Sequence, residues 1–401
     1  MTGLTIAFSA AALPLVVGWS YLASLSVAAL AHRPSARGEA GKLPRLIVLV
    51  PAHDEAALVA TCVDSLIQQS YPAARRHVIV IADNCTDATA AEAARAGATV
   101  MVRDEPDRRG KGRALRWAMD HLESGQDSPD GFVIVDADSI AGPNLLSDLA
   151  QALAGGADLA QADYTVLEDP QAGSGDQLRS LAVLLYNRTR NLGRAALGLP
   201  AALLGNGMML SRELVRSRPW TAFSPAEDLE FGMRCRIDGI GARFVAAGVQ
   251  GPLPLGYAAG TAQRVRWEGG RFYVLKRLGP SLLGRLVRSP DAAILDAVLD
   301  LAVPPVAILA MLTMAGLAVS LGAALLGWVG AVAPAIWSAC ALLAAVHLLA
   351  GLKAAGVPVR RIALLRAVPG FLLWKLRVYL RLLRGFDPNQ WQRSLRKGEA
   401  G

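Results

Sequence analysis

Apolar positions along the chain fall into three patterns. Leu4 to Ala31 is an uncharged apolar run, long enough to cross the roughly 30 Å hydrocarbon core of a bilayer as one helix. A second apolar region, from Ala297 to about Gly356, is interrupted only by Asp300, His347 and Lys353. It is too long for one span and reads as two, broken near Gly327–Pro334. Between these regions, residues 45–250 alternate. β-rich runs at Leu46–Val50, Val78–Ala82, Thr99–Val102, Phe132–Val135 and Leu159–Tyr164 are separated by Ala-rich, helix-period segments such as Ala56–Gln69, Ala88–Ala96 and Arg113–Leu122. That alternation predicts an α/β domain of βαβ units with a mostly parallel sheet covered on both faces. Ligands of such sheets bind beyond the carboxyl ends of the strands.

Residues 361–384 mix Leu with Arg at helical spacing. Charges inside a span are expensive, so this segment is expected to lie amphipathically in the membrane interface. Composition agrees with a membrane protein: 53% of the 401 residues are hydrophobic and 18% charged, against about 25% charged in soluble domains. Disorder is excluded. The net charge of +8 does not imply nucleic acid, because residues 360–397 alone carry +9 and leave the remainder at −1. Cys62, Cys85, Cys235 and Cys340 form no CxxC pair, which argues against a zinc ribbon or disulfide scaffold and suits a reducing compartment.

Arg33, Arg37 and Lys42 follow the first run; Arg285 and Arg288 precede the hairpin, and Lys353, Arg360 and Arg361 follow it. The positive-inside rule then puts the N-terminus and the hairpin tip outside and the α/β domain in the cytoplasm. Ala29-Leu30-Ala31 resembles a signal-peptide cleavage site, but no basic residue precedes the run and the run exceeds a typical signal core. A retained anchor is expected. The resulting organisation is an anchor at 1–32, a linker at 33–44, a catalytic-type domain at 45–268, an amphipathic connector at 269–296, a two-helix hairpin at 297–356 and a basic interfacial segment at 357–401.

Carboxylates gather after the strands: Pro51-Ala52-His53-Asp54-Glu55 after the first, Asp83-Asn84-Cys85-Thr86-Asp87 after the second, Asp136-Ala137-Asp138 after the fourth. Any one of them fits a helix N-cap. Together at one sheet edge they repel one another unless a cation offsets them, and hard oxygen ligands suit Mg2+ or Mn2+ bridging a diphosphate. Arg108-Arg109-Gly110-Lys111-Gly112 opens a helix and is a candidate anion contact through Lys111; a solvated basic turn is the plain alternative. Ser224-Pro225-Ala226-Glu227 reads as a capping box, which accounts for Glu227 and leaves Asp228 free to act as a base. Gln263, Arg266 and Trp267 share a helical face suited to phosphate and a ring.

Five of these motifs (Pro51–Glu55, the Asp83 turn, Asp136-Ala137-Asp138, Glu227-Asp228 and Gln263–Trp267), in this order from about Arg45 to Arg271, resemble the membrane-bound glycosyltransferases of family 2, which include the cellulose, hyaluronan and poly-N-acetylglucosamine synthases. The resemblance implies a nucleotide-sugar domain of the GT-A type and inverting, metal-dependent transfer. It implies that Glu55 and Asp83 contact the nucleoside, and that Asp136 and Asp138 hold the diphosphate through Mg2+ or Mn2+, with Asp138 as direct ligand. Asp228 would be the general base. Gln263, Arg266 and Trp267 would clamp the donor, Trp267 also facing the acceptor, and Lys111 would join the donor contacts. Gly205, Asn206, Gly207 and Glu227 would line the acceptor side. A UDP-sugar is the donor the resemblance favours.

Three spans are fewer than the large polysaccharide synthases use. The expectation is therefore transfer of one or a few sugars to a lipid-linked saccharide or glycolipid in cell-surface or exopolysaccharide synthesis, at a bacterial-type inner membrane. A processive exopolysaccharide synthase, working as a homo-oligomer or with polysaccharide-assembly partners, is the alternative. A non-catalytic nucleotide sensor has no need of Asp228, and a GT-A-like nucleotidyltransferase is expected to lack both the spans and that residue.

Overall fold

The computed structural model describes residues 3–33, 43–123, 128–167, 172–253 and 256–385. Most of the expected linker (34–42) and the end of the basic segment (386–401, with Arg393, Arg396 and Lys397) lie outside the described residues. Eight strands form one sheet: β1 (Leu46–Ala52), β2 (Arg76–Asp83), β3 (Thr99–Arg103), β4 (Gly131–Ile134), β5 (Ile140–Ala141), β6 (Leu159–Val166), β7 (Met208–Ser211) and β8 (Arg243–Gly251). Their order is β3-β2-β1-β4-β7-β6-β8-β5. Pairs β1–β2, β2–β3, β1–β4 and β6–β8 are parallel; β4–β7, β6–β7 and β5–β8 are antiparallel. The strands expected from sequence are all present. β5, β7 and β8 were not expected: β5 and β7 are very short, and β8 is rich in Ala and Gly, residues of low strand propensity.

Period-two alternation builds the two cores. Val48 and Val50 of β1 face one side, packing with Val59, Val63 and Leu66 of α2 (Val59–Ile67), Ala93 of α3 (Thr89–Arg95) and Leu149 of α5 (Leu145–Ala154). Ile47 and Leu49 face the other, with Leu115 and Met119 of α4 (Lys111–Glu123), Leu214 of α8 (Arg212–Ser217) and Phe231 of α9 (Glu227–Ile237). Each fully buried aliphatic side chain contributes about 1.5–3 kcal/mol. β2 and β3 lie to one side of β1 and β4 to the other, so the carboxyl ends of β1 and β4 flank the switch point where a crevice opens.

Between β6 and β7 the chain leaves the sheet as α6 (Ser174–Leu184), a π-helical turn (Leu185–Thr189) and α7 (Arg190–Ala196). Beyond β8 comes α10 (Gly256–Arg288), 33 residues long. It runs unbroken through the boundary expected at 268/269, so the Gln263–Trp267 segment and the connector up to Arg288 are one helix. α11 (Ala292–Ala302) follows. Among the described residues, three helices are long and apolar enough to cross a membrane: α1 (Gly3–Ala29), α12 (Val306–Leu325) and α13 (Val332–Ala354). They pack together through Leu15, Trp19, Leu22, Leu309 and Trp337, with Trp19 Nε1 donating to Thr313 Oγ1 at 2.9 Å. The basic segment forms a short 3-10 stretch (Val359–Ala367) and α14 (Val368–Leu383). Arg377, Arg381 and Arg384 are exposed on it. Lys375 instead turns inward to Glu268 of α10 at 2.5 Å, and Trp374 Nε1 donates to Thr261 Oγ1.

A buried charge cluster joins the membrane bundle to the sheet domain. Asp296 and Asp300 stand one helical turn apart on α11, 3% and 1% exposed. Asp296 receives Arg194 Nε at 3.0 Å, Arg236 Nη1 at 2.5 Å and the Tyr21 hydroxyl at 2.8 Å. Asp300 receives Arg194 Nη2 at 2.8 Å and lies 3.5 Å from Arg190 Nη1. Arg271 Nη2 donates to the Asp300 carbonyl. Helices α1, α7, α9, α10 and α11 thus meet at two carboxylates. Removing one partner of a buried ion pair strands the other, at about 3–5 kcal/mol. Asp296→Ala is therefore expected to lower the melting temperature of the detergent-purified chain far more than Asp291→Ala, which removes the α11 N-cap and a partly exposed ion pair with Arg285 at 3.6 Å. Equal melting of the two variants would contradict this.

Candidate active site

The strand ends expected to carry chemistry open onto one cavity of about 1410 Å³. Glu55, Asp83, Lys111, Asp136, Asp138, Gly205, Glu227, Asp228, Gln263, Arg266 and Trp267 all line it. Asn206 and Gly207 do not. Asn206 is fully buried and clips the turn after β4, its Oδ1 accepting from Asp136 N at 3.1 Å and its Nδ2 donating to Ser139 Oγ at 2.8 Å. Gly207 packs against Ala162 and Val249. Of the three, Gly205 alone faces the cavity. Its φ is +80°, and a Cβ there would stand 3.1 Å from Asp228 Oδ2 and 3.5 Å from Lys111 Nζ, so the absence of a side chain leaves room between these groups.

Lys111 stands at the N-terminus of α4, yet its ammonium points into the carboxylates rather than out as a solvated turn. Nζ donates to Asp136 Oδ1 at 2.5 Å and to the Gly205 carbonyl. Burial works against its charge, but Asp136, Glu227 and Asp228 outweigh that and raise its pKa. Gly112 in the same loop serves packing: a Cβ would collide with the Ala222 carbonyl.

The capping box expected at Ser224–Glu227 is not formed. α9 begins at Glu227, Ala226 occupies the N-cap position, and no side chain caps the helix. It is Glu230, not Glu227, that reaches back to Ser224 N, at 3.2 Å. The helix starts two residues later than the Ser-Pro signal suggests, and Glu227 and Asp228 both open onto the cavity. Burial and the neighbouring Asp228 push Glu227 up to about 7. Burial, with Asp136 close by, raises Asp228 too, against the pull of the Leu229 amide and Lys111. Two side-by-side carboxylates of raised pKa form a proton acceptor suited to neutral pH.

Asp83 lines the cavity but also holds Arg103 through Nη1; burial raises its pKa against that guanidinium. Asp138 Oδ1 accepts from Ser139 Oγ at 3.2 Å. Asp136, Asp138, Glu227 and Asp228 place four carboxyl groups around one wall, and the Lys111 ammonium sits among them as a resident cation. These hard oxygen donors fit a divalent Mg2+ or Mn2+. A further donor set, Asp54, Cys85 and Asp87, lies beside Thr86. Asp54 is already engaged by the Thr86 amide, and burial raises the Cys85 thiol, which disfavours the thiolate a metal would need. Gln263, Arg266 and Trp267 project from α10 on the opposite wall. Arg266 Nε is buried without a hydrogen-bond partner, and Arg264 stacks over the Trp267 ring at 4.9 Å.

Sequence reasoning passed over Tyr164. Its ring lines the cavity among Asp136, Asp138 and Asp228, and burial followed by these charges drives its pKa far up. An aromatic inside a strand reads as core; no local signal marks it. The cavity also continues between the membrane helices, reaching Trp19, Ala310, Ala344 and His347.

A family model described as "Glycosyltransferase like family 2" matches residues 44–269, more than half of the chain. No curated protein matches the sequence. Among solved structures, the mannosyltransferase PcManGT from Pyrobaculum calidifontis, in complex with GDP-Man and Mn2+, is 18% identical at a TM-score of 0.53, covering 94% of this chain and 97% of that one. Glucosyl-3-phosphoglycerate synthase from Mycobacterium tuberculosis, in complex with Mn2+, UDP-glucose and phosphoglyceric acid, is 22% identical at a TM-score of 0.42, covering 65% and 89%. The first likeness is one of fold.

The raised Glu227 fixes a sign for stability. A carboxyl whose folded pKa, about 7, exceeds its unfolded value of 4.5 favours folding fully below pH 4.5 and loses that contribution as pH rises through 7. Glu227→Gln is expected to melt above the wild type at pH 8 by roughly 2–4 °C, with the gain vanishing near pH 4.5. Thermal scans across that range check it; a pH-independent difference would contradict the assignment.

Proposed function

The chain belongs to glycosyltransferase family 2, and from that premise we propose that it moves a sugar from a nucleotide-sugar, favoured as a UDP-sugar, to a hydroxyl of a membrane-associated acceptor such as a lipid-linked saccharide or glycolipid. The observation that carries this reading is a single cavity with Asp228, Lys111 and Asp136 at one end and helices α1, α12 and α13 at the other. Its volume exceeds the roughly 300–1,000 Å³ of single-ligand sites, in keeping with donor and acceptor held together.

In this reading residues 45–268 are the catalytic unit. Asp228 is the general base: it takes the proton of the acceptor hydroxyl while that oxygen attacks the anomeric carbon. The new C–O bond forms as the bond to the diphosphate breaks, and the electron pair leaves with the nucleoside diphosphate. One displacement without an enzyme nucleophile inverts the anomeric centre. Glu227 keeps the base pair's affinity for protons high. Lys111 and Arg266 receive the charge developing on the leaving group. Glu55 and Asp83 contact the nucleoside, and Gln263 and Trp267 shape donor and acceptor. Asp138, with Asp136, would hold Mg2+ or Mn2+, which when bound offsets diphosphate charge. The positive-inside pattern supports a cytoplasmic catalytic unit at a bacterial-type inner membrane.

The test uses the full chain in nanodiscs with Mn2+ and a panel of nucleotide sugars, following nucleoside diphosphate release with and without membrane lipid extract. One donor is expected to turn over and to be stimulated by extract. Asp228→Asn should lower transfer by about 10²–10⁴-fold while leaving donor affinity unchanged; retained transfer would remove Asp228 from the role of base. Chelation with EDTA should abolish release, and added Mn2+ should restore it. Label migrating with lipid supports limited transfer, whereas a large labelled polymer would replace it with processive synthesis.

A further inference from the structure

The two ends of the cavity carry opposite charge. At the end near α9, Glu227, Asp228, Asp136 and Asp138 outnumber Lys111 and Arg266. At the membrane end, Arg190 and Arg271 line the wall, and with Arg194 and Arg236 they place four guanidinia around only two carboxylates, Asp296 and Asp300. All six are less than 9% exposed. The four cations together hold the Asp300 carboxyl far below its ordinary range, despite its burial.

Within this cluster Arg194 is well satisfied, with Asp296, Asp300 and the Tyr21 hydroxyl within 3.1 Å. Arg190 is not. Its Nη1 is 3.5 Å from Asp300, its plane lies over Tyr186 at 4.5 Å, and its Nε has no hydrogen-bond partner. His347, on the same wall, uses Nδ1 toward Ser26 Oγ at 2.7 Å and leaves Nε2 without one. Asp300 Oδ2 also lacks a hydrogen bond, yet pairing it with Arg190 would still leave two more cations than anions. A buried excess of positive charge is costly unless an anion offsets it. Beside these groups, Leu185, Pro304, Pro305, Ala310, Ala344 and Leu348 give this end of the cavity an apolar stretch of wall.

We propose that the membrane end of the cavity seats the phosphate of the acceptor, which is a hydroxyl-headed lipid phosphate ester: its phosphate lies against Arg190 and Arg271, its hydrocarbon runs along α12 and α13, and its free hydroxyl reaches Asp228. The inference rests on the sugar-transfer reading and narrows its acceptor. Charge decides the orientation. A phosphate placed beside Glu227 and Asp228 meets like charge and needs no base, whereas a hydroxyl there needs one. The anionic linkage therefore belongs at the arginine end.

The test is lipid retention, which does not depend on sugar turnover. The full chain in neutral detergent is offered phosphatidylglycerol, a polyprenyl diphosphate sugar, and a neutral glucosyl diacylglycerol with acyl chains matched to the first. Retained lipid is counted by native mass spectrometry. At least one phosphate lipid should be retained about tenfold or more over the neutral glycolipid. Arg190→Gln should remove that preference and Arg190→Lys should keep it, with melting curves confirming that both variants are folded. Retention of phosphatidylglycerol identifies a bulk headgroup as the source of the phosphate; retention of the polyprenyl lipid alone identifies a saccharide carrier. Equal retention of the neutral glycolipid, or an undiminished preference in folded Arg190→Gln, overturns the proposal. A chain that shows the phosphate preference but turns over no donor with any lipid would instead sink the sugar-transfer reading.

Discussion

Two carboxylates on α11 set the geometry of this molecule. Asp296 and Asp300 are surrounded by Arg190, Arg194, Arg236 and Arg271, and the Tyr21 hydroxyl joins them from the first membrane helix. Ions brought this far out of water are tolerated only with close partners, and those partners come from four other helices separated widely in sequence. None of these helices can shift alone without breaking a hydrogen bond or ion pair of this cluster. The sheet domain and the membrane bundle consequently meet at a fixed angle, and Leu181 and Leu185 pack against Leu348 and Leu352 of α13 across the same boundary.

The same electrostatics, with sign reversed, shapes the far end of the cavity. There the carboxylates are in excess, and Lys111 reaches in from the α4 N-terminus to hold Asp136 and the Gly205 carbonyl. Small residues make the crowding feasible: Gly205 leaves the space between Asp228 and Lys111 open. Asn206, buried behind it, ties the turn after β4 to the β6–β7 side of the sheet through Ser139 and Gln161. The reactive groups stand on a rigid sheet edge, while the opposite wall belongs to α10, which is also anchored to the junction through Arg271.

Much of this was legible in the chain. β1, β2 and β4 are near-continuous apolar runs because they are buried on both faces, and the acids that follow them sit at the sheet edge as parallel topology requires. The spans followed from length and hydropathy. Besides strands β5, β7 and β8, three things were not legible, for identifiable reasons. The Ser224-Pro225 signal obeys capping rules, but tertiary packing starts α9 at Glu227 and gives the reach-back role to Glu230. Tyr164 looks like any strand aromatic. The arginine cluster depends on pairings 29 to 110 residues apart. A faint trace of it exists: Asp296 and Asp300 are spaced i, i+4 in an apolar helix, as are Arg190 and Arg194 on α7, and charges repeating on one buried face call for partners elsewhere.

α9 carries Asp228 in its first turn and Arg236 in its last. The eight residue steps from one to the other correspond to about 12 Å of helix axis. Arg236 is pinned to Asp296, and Asp296 to Tyr21 of a membrane helix. The helix is therefore a depth gauge, one end fixed relative to the hydrocarbon and the other carrying the carboxylates at a set height above it. Any molecule resting its apolar part among α12 and α13 is measured against that height, and only a polar head of matching reach brings an oxygen level with Asp228.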